Sequence, residues 1–195
     1  MRRQWQGSVS VEMLDVTHQA HIESLAGKYA NSAIDLLINN AGDIGPRGAA
    51  RELLHKQIFG SLDYDAWQRV FAVNTLAPMR VAEAFVAHVE RSAMKKMVFM
   101  SSTTGSNAEG QYSVFAYCSS KAALNKCVTM LARDVNGRGI IAAALCPGHV
   151  KTDMGGASAQ IEPLESVTGL RKVIAALTIA DSGAFLRYNG ERIAW

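Results

Sequence analysis

The stretch "AIDLLINNAG", residues 33–42, changes character at one point. AIDLLI (33–38) is short and apolar enough for a strand buried on both faces, the kind found in parallel sheets. It stops at Asn39-Asn40-Ala41-Gly42, where amides and small residues replace bulk. A strand ending this way presents hydrogen-bonding groups and close backbone approach just beyond the sheet.

Working outward, the same change recurs. KKMVFMS (95–101) predicts a strand followed by Ser102-Thr103-Thr104-Gly105, and GIIAAALCP (139–147) a buried strand followed by Gly148-His149-Val150-Lys151-Thr152. SVSVEML (8–14) alternates as a strand. Between the strands lie helical patterns: 18–30; 65–91, with Asp63 or Asp65 as cap and Pro78 as a kink; 113–135, closed by Asn136-Gly137; and 163–177, with Pro163 in its first turn. The tail 184–195 reads as two short extended pieces about Asn189-Gly190. Alternating strands and helices predict an α/β fold, a doubly wound parallel sheet with helices on both faces. Without repeat or linker, residues 1–195 read as a single domain.

Composition narrows the function. Apolar residues make up 49% of the 195, enough for a core. The net charge of +3 comes from 20 Lys+Arg against 17 Asp+Glu, and the basic residues are scattered, which argues against nucleic acid as a partner. Cys118, Cys127 and Cys146 show neither metal spacing nor C-x-x-C, so no metal is expected, and reduced thiols fit the cytoplasm. The opening MRRQWQGSVSVE lacks the apolar region of a secretory signal. The longest unbroken apolar run, IIAAALC (140–146), is far short of a membrane helix, so no membrane partner is expected.

Ligands of such sheets bind at the carboxyl ends of the strands. The helix at 113–135 follows one of those ends and carries Tyr117 and Lys121, one turn apart. A free tyrosine has a pKa of ~10, and a neighbouring cation is expected to lower it. Ser102 is placed to hydrogen-bond a carbonyl oxygen, and Tyr117 to give it a proton. Asn74, polar within the apolar stretch FAVNTLAP, calls for a buried partner. Together these point to a carbonyl or alcohol site. Gly42-x-x-Gly45-x-x-Gly48 has the wrong spacing for a phosphate loop.

The ordered set NNAG, Asn74, SSTTG, Tyr117-x-x-x-Lys121 and PG-x-V-x-T resembles the short-chain dehydrogenases/reductases over nearly the whole chain. The runs 146–156 and 181–195 are similar to the C-factor and sniffer-like carbonyl reductases. The resemblance implies a Rossmann-like fold and NADP, ahead of NAD, as cofactor for a small carbonyl or alcohol substrate. It also implies roles. Ser102 binds substrate, Tyr117 donates the proton, Lys121 holds the nicotinamide ribose, and Asn74 orders a water through its backbone. Asp15 and Val16 would meet the adenine; Asn40, Ala41 and Gly42 would line the adenosine side; Pro147, Gly148, Val150 and Thr152 would face the nicotinamide. Residues 155–163 would form the substrate loop. The alternative it allows is a non-catalytic, C-factor-like signalling or interaction protein.

The family opens with a strand, a turn of the form T-G-x-x-x-G-x-G, a helix and a second strand, and no such turn occurs in this sequence. The expectation is therefore a sheet truncated at its N-terminus, without its first two strands and first helix. The bared edge of 33–38 is then covered either by direct pairing with 8–14 or by a second chain. Ser102 and Tyr117 lie 15 residues apart, with no room for a large insertion, and the resemblance implies that the two long helices pack in a homodimer or higher homo-oligomer.

Overall fold

The computed structural model describes residues 9–46, 54–110 and 114–195. Ser8, Gly48 and Ser113, which the sequence placed in a strand, a polar stretch and a helix start, lie outside them. The sheet has four parallel strands in the order β1 (Leu36–Asn39), β2 (Lys96–Met100), β3 (Ile141–Cys146) and β4 (Phe185–Arg187). Leu36 pairs with Lys96, Lys96 with Ile141, and Ala144 with Phe185. Side chains alternate across a strand, so each face has its own set. Met97, Phe99, Ala142 and Ala144 pack against α3 (Ala77–Glu90) and α4 (Phe115–Asp134). Val98, Ala143 and Leu145 pack against α5 (Pro163–Ala176). The run Ala142-Ala143-Ala144 keeps both faces of the central strand low, which lets helices approach. The doubly wound reading holds.

Lys96 is buried, and its ammonium donates to the carbonyls of Ile174 (2.7 Å) and Ala175 (3.1 Å) at the end of α5. A cation there satisfies free carbonyls and opposes the helix dipole. α1 (Gln19–Lys28) lies against α3 through Ile22, Ala26, Val81 and Phe85.

The helix expected at 65–91 is divided. α2 (Tyr64–Phe71) is capped by Asp63, whose carboxylate accepts from the Ala66 N–H at 2.9 Å. A π-helical turn (Ala72–Leu76) follows, and then α3, with Pro78 in its first turn. The break precedes the proline, for a physical reason. Pro78 has no N–H to give the carbonyl four residues back, which belongs to Asn74, and its ring crowds that position. A wider turn there removes the conflict. By length and composition Tyr64–Glu90 could cross a membrane, but Val81, Ala82, Phe85 and Val89 are buried inside the fold.

The strand expected at 8–14 does not form: the described residues 9–14 carry no secondary structure. Their alternating pattern lacks a neighbour to pair with, and an unpaired strand leaves its backbone groups unsatisfied. Nor do they pair with β1. A cavity of about 690 Å³ separates Ser10, Glu12, Leu14 and Val16 from β1, floored by side chains of α1 and α3. Among the described residues, β1 pairs only with β2.

Candidate active site

Tyr117 and Lys121 sit on the first two turns of α4. Lys121 is 4% exposed, and its ammonium donates to the Met100 carbonyl at 2.8 Å, at the end of β2. It lies 5.7 Å from the Tyr117 ring centroid. Ser102 follows β2 in extended backbone and caps the short turn Thr103–Gly105. Its hydroxyl accepts from the Thr104 N–H (3.3 Å) and the Thr104 hydroxyl (3.0 Å), and it lies near enough to the Tyr117 phenol to favour its charged form. Ser101 has a different part: it is buried and bonded to Asn125 Oδ1 at 2.5 Å.

Gly105 makes this arrangement possible. A Cβ at Gly105 would stand 2.7 Å from the Lys121 carbonyl carbon and 2.8 Å from its Cβ. The turn after β2 therefore touches α4 backbone-close, at the residue that carries the ammonium.

Burial pushes the Tyr117 phenol up to about 12, against the opposing influence of the nearby Ser102 hydroxyl. The expected lowering by Lys121 is absent. The ammonium is turned to the Met100 carbonyl, and desolvation outweighs it. Burial also lowers Lys121 to about 8. At neutral pH Tyr117 thus carries its proton, the state a proton donor needs.

Asn74 lies in the π-helical turn and is 0% exposed. Its Oδ1 accepts from the Asp43 N–H (2.8 Å), and its Nδ2 donates to the Asp43 carbonyl (2.7 Å) and to Ser120 Oγ (2.9 Å). This side chain clips the loop after β1 to α4. Gly42 passes through the same place: a Cβ there would lie 3.6 Å from Asn74 Oδ1 and 3.7 Å from the Lys121 ammonium. Asn40, Ala41 and Val16 line the mouth of the β1 cavity. Asp15 is exposed, and its Oδ1 accepts from the Thr17 N–H (2.9 Å) and hydroxyl (2.7 Å); these bonds hold its carboxyl below the usual range.

After β3, Gly148 has φ +82°, and a Cβ there would strike Ile161 Cδ1 at 2.4 Å. Val150 forms a parallel bridge with Ile161, and Thr152 closes a turn by accepting from the Gly155 N–H at 3.1 Å. The Pro147 carbonyl accepts from the buried Ser166 hydroxyl at 2.7 Å, which fixes the start of α5.

Ser102, Tyr117, Lys121, Asn74 and Gly42 are therefore brought together, with Pro147–Val150 on the next strand end. Asp15 and Val16 stand apart, across the cavity. Sequence reasoning missed Ser120 and Cys146. The Cys146 sulfur accepts from the Thr103 N–H (3.3 Å) and the Gly148 N–H (3.4 Å), joining two loops. Its position directly before Pro147-Gly148 was the available signal.

A nicotinamide cofactor has a partial fit. Gly42 leaves an opening beside the Lys121 ammonium, and Gly148 keeps the next loop bare of side chain. The glycine turn that would meet the phosphates is not in this sequence. Among the described residues no group of three or more His, Cys, Asp or Glu could hold a metal.

The family model for short chain dehydrogenase matches residues 2–162. C-signal of Myxococcus xanthus is 34% identical over 177 residues, covering 89% of this chain and all of that protein. The crystal structure of NADPH-bound carbonyl reductase from chicken fatty liver superposes with a TM-score of 0.82 at 32% identity, covering 93% of this chain and 75% of that one. Carbonyl reductase Sniffer of D. melanogaster gives 0.87 at 25% identity, covering 97% and 79%.

Proposed function

The chain belongs to the short-chain dehydrogenase family, and from that premise we propose that it reduces a small aldehyde or ketone, with Tyr117 as proton donor. The observation that carries this is the convergence of Ser102, a protonated Tyr117 and Lys121, whose ammonium lies 5.7 Å from the Tyr117 ring centroid. Ser102 holds the carbonyl oxygen, and Tyr117 passes it a proton as negative charge develops. Lys121 holds the nicotinamide ribose, while Pro147, Gly148, Val150 and Thr152 line the nicotinamide side. Asn40, Ala41, Gly42, Val16 and Asp15 serve the adenosine end. Asn74 fixes the Asp43 loop and offers its backbone carbonyl, to which Pro78 brings no N–H, as a seat for a relay water. A bound nicotinamide supplies hydride; NADP is the choice, ahead of NAD, in line with the NADPH of the chicken enzyme. Likeness to dehydrogenases and carbonyl reductases favours this reading over a non-catalytic signalling role.

The test is cofactor fluorescence during titration of the purified chain with NADPH and then NADH, followed by a panel of carbonyl compounds. Tyr117→Phe is expected to lose about 10³-fold in turnover, the scale of a lost general acid, with cofactor binding unchanged. Wild-type turnover in Tyr117→Phe would sink the assignment. Assembly as a homodimer or higher homo-oligomer belongs to the same reading. Sedimentation of the purified chain tests it, and a monomer at every concentration would remove it.

A further inference from the structure

Ser101 and Ser102 stand side by side after β2 and are chemically alike, yet it is the Ser102 hydroxyl that acts on the Tyr117 phenol. A third residue separates them. Ser101 is 3% exposed, and its hydroxyl donates to Asn125 Oδ1 at 2.5 Å. Its backbone N–H continues the sheet by donating to the Leu145 carbonyl at 2.7 Å. Ser102 is extended (φ −154°, ψ 147°), and successive side chains of an extended chain point to opposite sides. Holding the Ser101 hydroxyl inward therefore turns the Ser102 hydroxyl outward.

Asn125 also holds the other end of the same turn. Its Nδ2 donates to the Gly105 carbonyl at 3.3 Å, and the Gly105 N–H donates to the Ser102 carbonyl at 2.9 Å. One planar amide thus grips the residue before Ser102 and the residue that closes the turn after it. Asn125 is 2% exposed, so water does not compete for either bond. Its place on α4 gives the grip a direction. Tyr117, Lys121 and Asn125 follow one another at four-residue spacing, along one side of the helix. Lys121 takes the Met100 carbonyl, and Asn125 takes Ser101 and Gly105. An apolar side chain at 125 would fill the space but leave a buried hydroxyl and a buried carbonyl without partners.

We propose that Asn125 is a positioning residue for the reduction: by tying both sides of the Ser102 turn to the helix that carries Tyr117, it sets the Ser102 hydroxyl against the phenol. It acts through Ser102 and touches none of the reacting atoms. The proposal rests on the reductase reading and adds a residue to it.

Steady-state kinetics with NADPH and an aldehyde or ketone that the wild type reduces, beside NADPH titration by cofactor fluorescence, is the test. Asn125→Leu, close in volume, is expected to lower kcat at least about tenfold, the scale of a reacting group displaced by less than ~1 Å. The Kd for NADPH is expected to stay unchanged. Ser101→Ala, which loses one of the two bonds, is expected to show the same split to a smaller degree, and it decides if circular dichroism shows Asn125→Leu unfolded. Ser101→Ala combined with Asn125→Leu removes both members of one bond, so its urea midpoint should recover part of the way, yet kcat should not recover. An unchanged kcat in Asn125→Leu, with the wild type turning over, would overturn the proposal and leave the reductase reading standing. So would a kcat that returns with the midpoint in the double variant, or a kcat loss matched by lost NADPH affinity, since either marks a structural role. A wild-type chain that reduces no carbonyl would instead remove the reductase reading, and this proposal with it.

Discussion

β3 and β1 are both short apolar strands that end where the site begins, yet all six residues of β3 are buried and only one of the four in β1 is. The difference lies in their neighbours. β3 has a strand on each side and helices on both faces, whereas β1 has β2 on one side and a cavity on the other. Burial is set by what surrounds a residue, and identical side chains contribute differently at a sheet's centre and at its edge. Ser102, Tyr117 and Lys121, the residues proposed for proton transfer, are built on the central side. The residues expected to hold the adenosine line the edge.

The largest break in this comparison is expected at the centre. Phe99→Ala, at a side chain with 0% exposure between α3 and α4, should cost about 3–5 kcal/mol of stability, measured by urea denaturation. A loss under 1 kcal/mol would mean the centre is looser than described.

Lys121 should reveal itself through pH. Its folded value is about 8 against 10.5 in the unfolded chain, so from pH 8 to 10.5 the unfolded state holds a proton that the folded state has released. Stability should therefore rise across that window, by up to about 3 kcal/mol. The rise should vanish in Lys121→Met. Above about pH 10.5 the sign reverses, because Tyr117 keeps its proton to about 12 while the unfolded phenol loses it around 10. A flat profile in wild type between pH 8 and 10 would refute the burial argument.

Gly105→Ala should cost about 1–3 kcal/mol, because its Cβ would meet Lys121 backbone rather than a flexible side-chain end. Turnover should fall as well, since the strain falls on the residue that holds the ammonium. The smallest effect is expected at the edge. Ile38→Ala, at 46% exposure, should change the stability of the dilute chain by about 1 kcal/mol or less. An effect as large as that of Phe99→Ala would erase the distinction between centre and edge.

Much of the centre was legible in the sequence because its signals are local and point to one structure. AIDLLI, KKMVFMS and GIIAAALCP are apolar runs that stop at small residues, and all three became strands, within a few residues at the ends. Tyr117 and Lys121 fall on one helix face through spacing alone. What could not be read depended on residues distant in the chain. SVSVEML has the alternation of a strand, but alternation specifies a face and supplies no neighbour. The Asn74 clip needs Asp43 and Ser120, 31 and 46 positions away. The Tyr117 value followed burial and the direction of the Lys121 ammonium, which helical spacing leaves open. Pro78 did signal a break; the break falls in the turn before it because the conflict is with a carbonyl four residues back.

The loop after β3 closes on itself through the Val150–Ile161 bridge, and its outgoing end is moored separately by Ser166 on the Pro147 carbonyl. Everything between Thr152 and Gln160 therefore hangs from a clasp whose two ends are already fixed. Exposed side chains in that span, such as Ala157 and Ser158, can change without shifting Tyr117, Ser102 or the start of α5, whereas Gly155 cannot: a Cβ there would stand 1.9 Å from the Val150 carbonyl oxygen. On the proposed reading, substrate range can drift at those exposed positions while Ser102 and Tyr117 stay in place, one just beyond β2 and the other on α4.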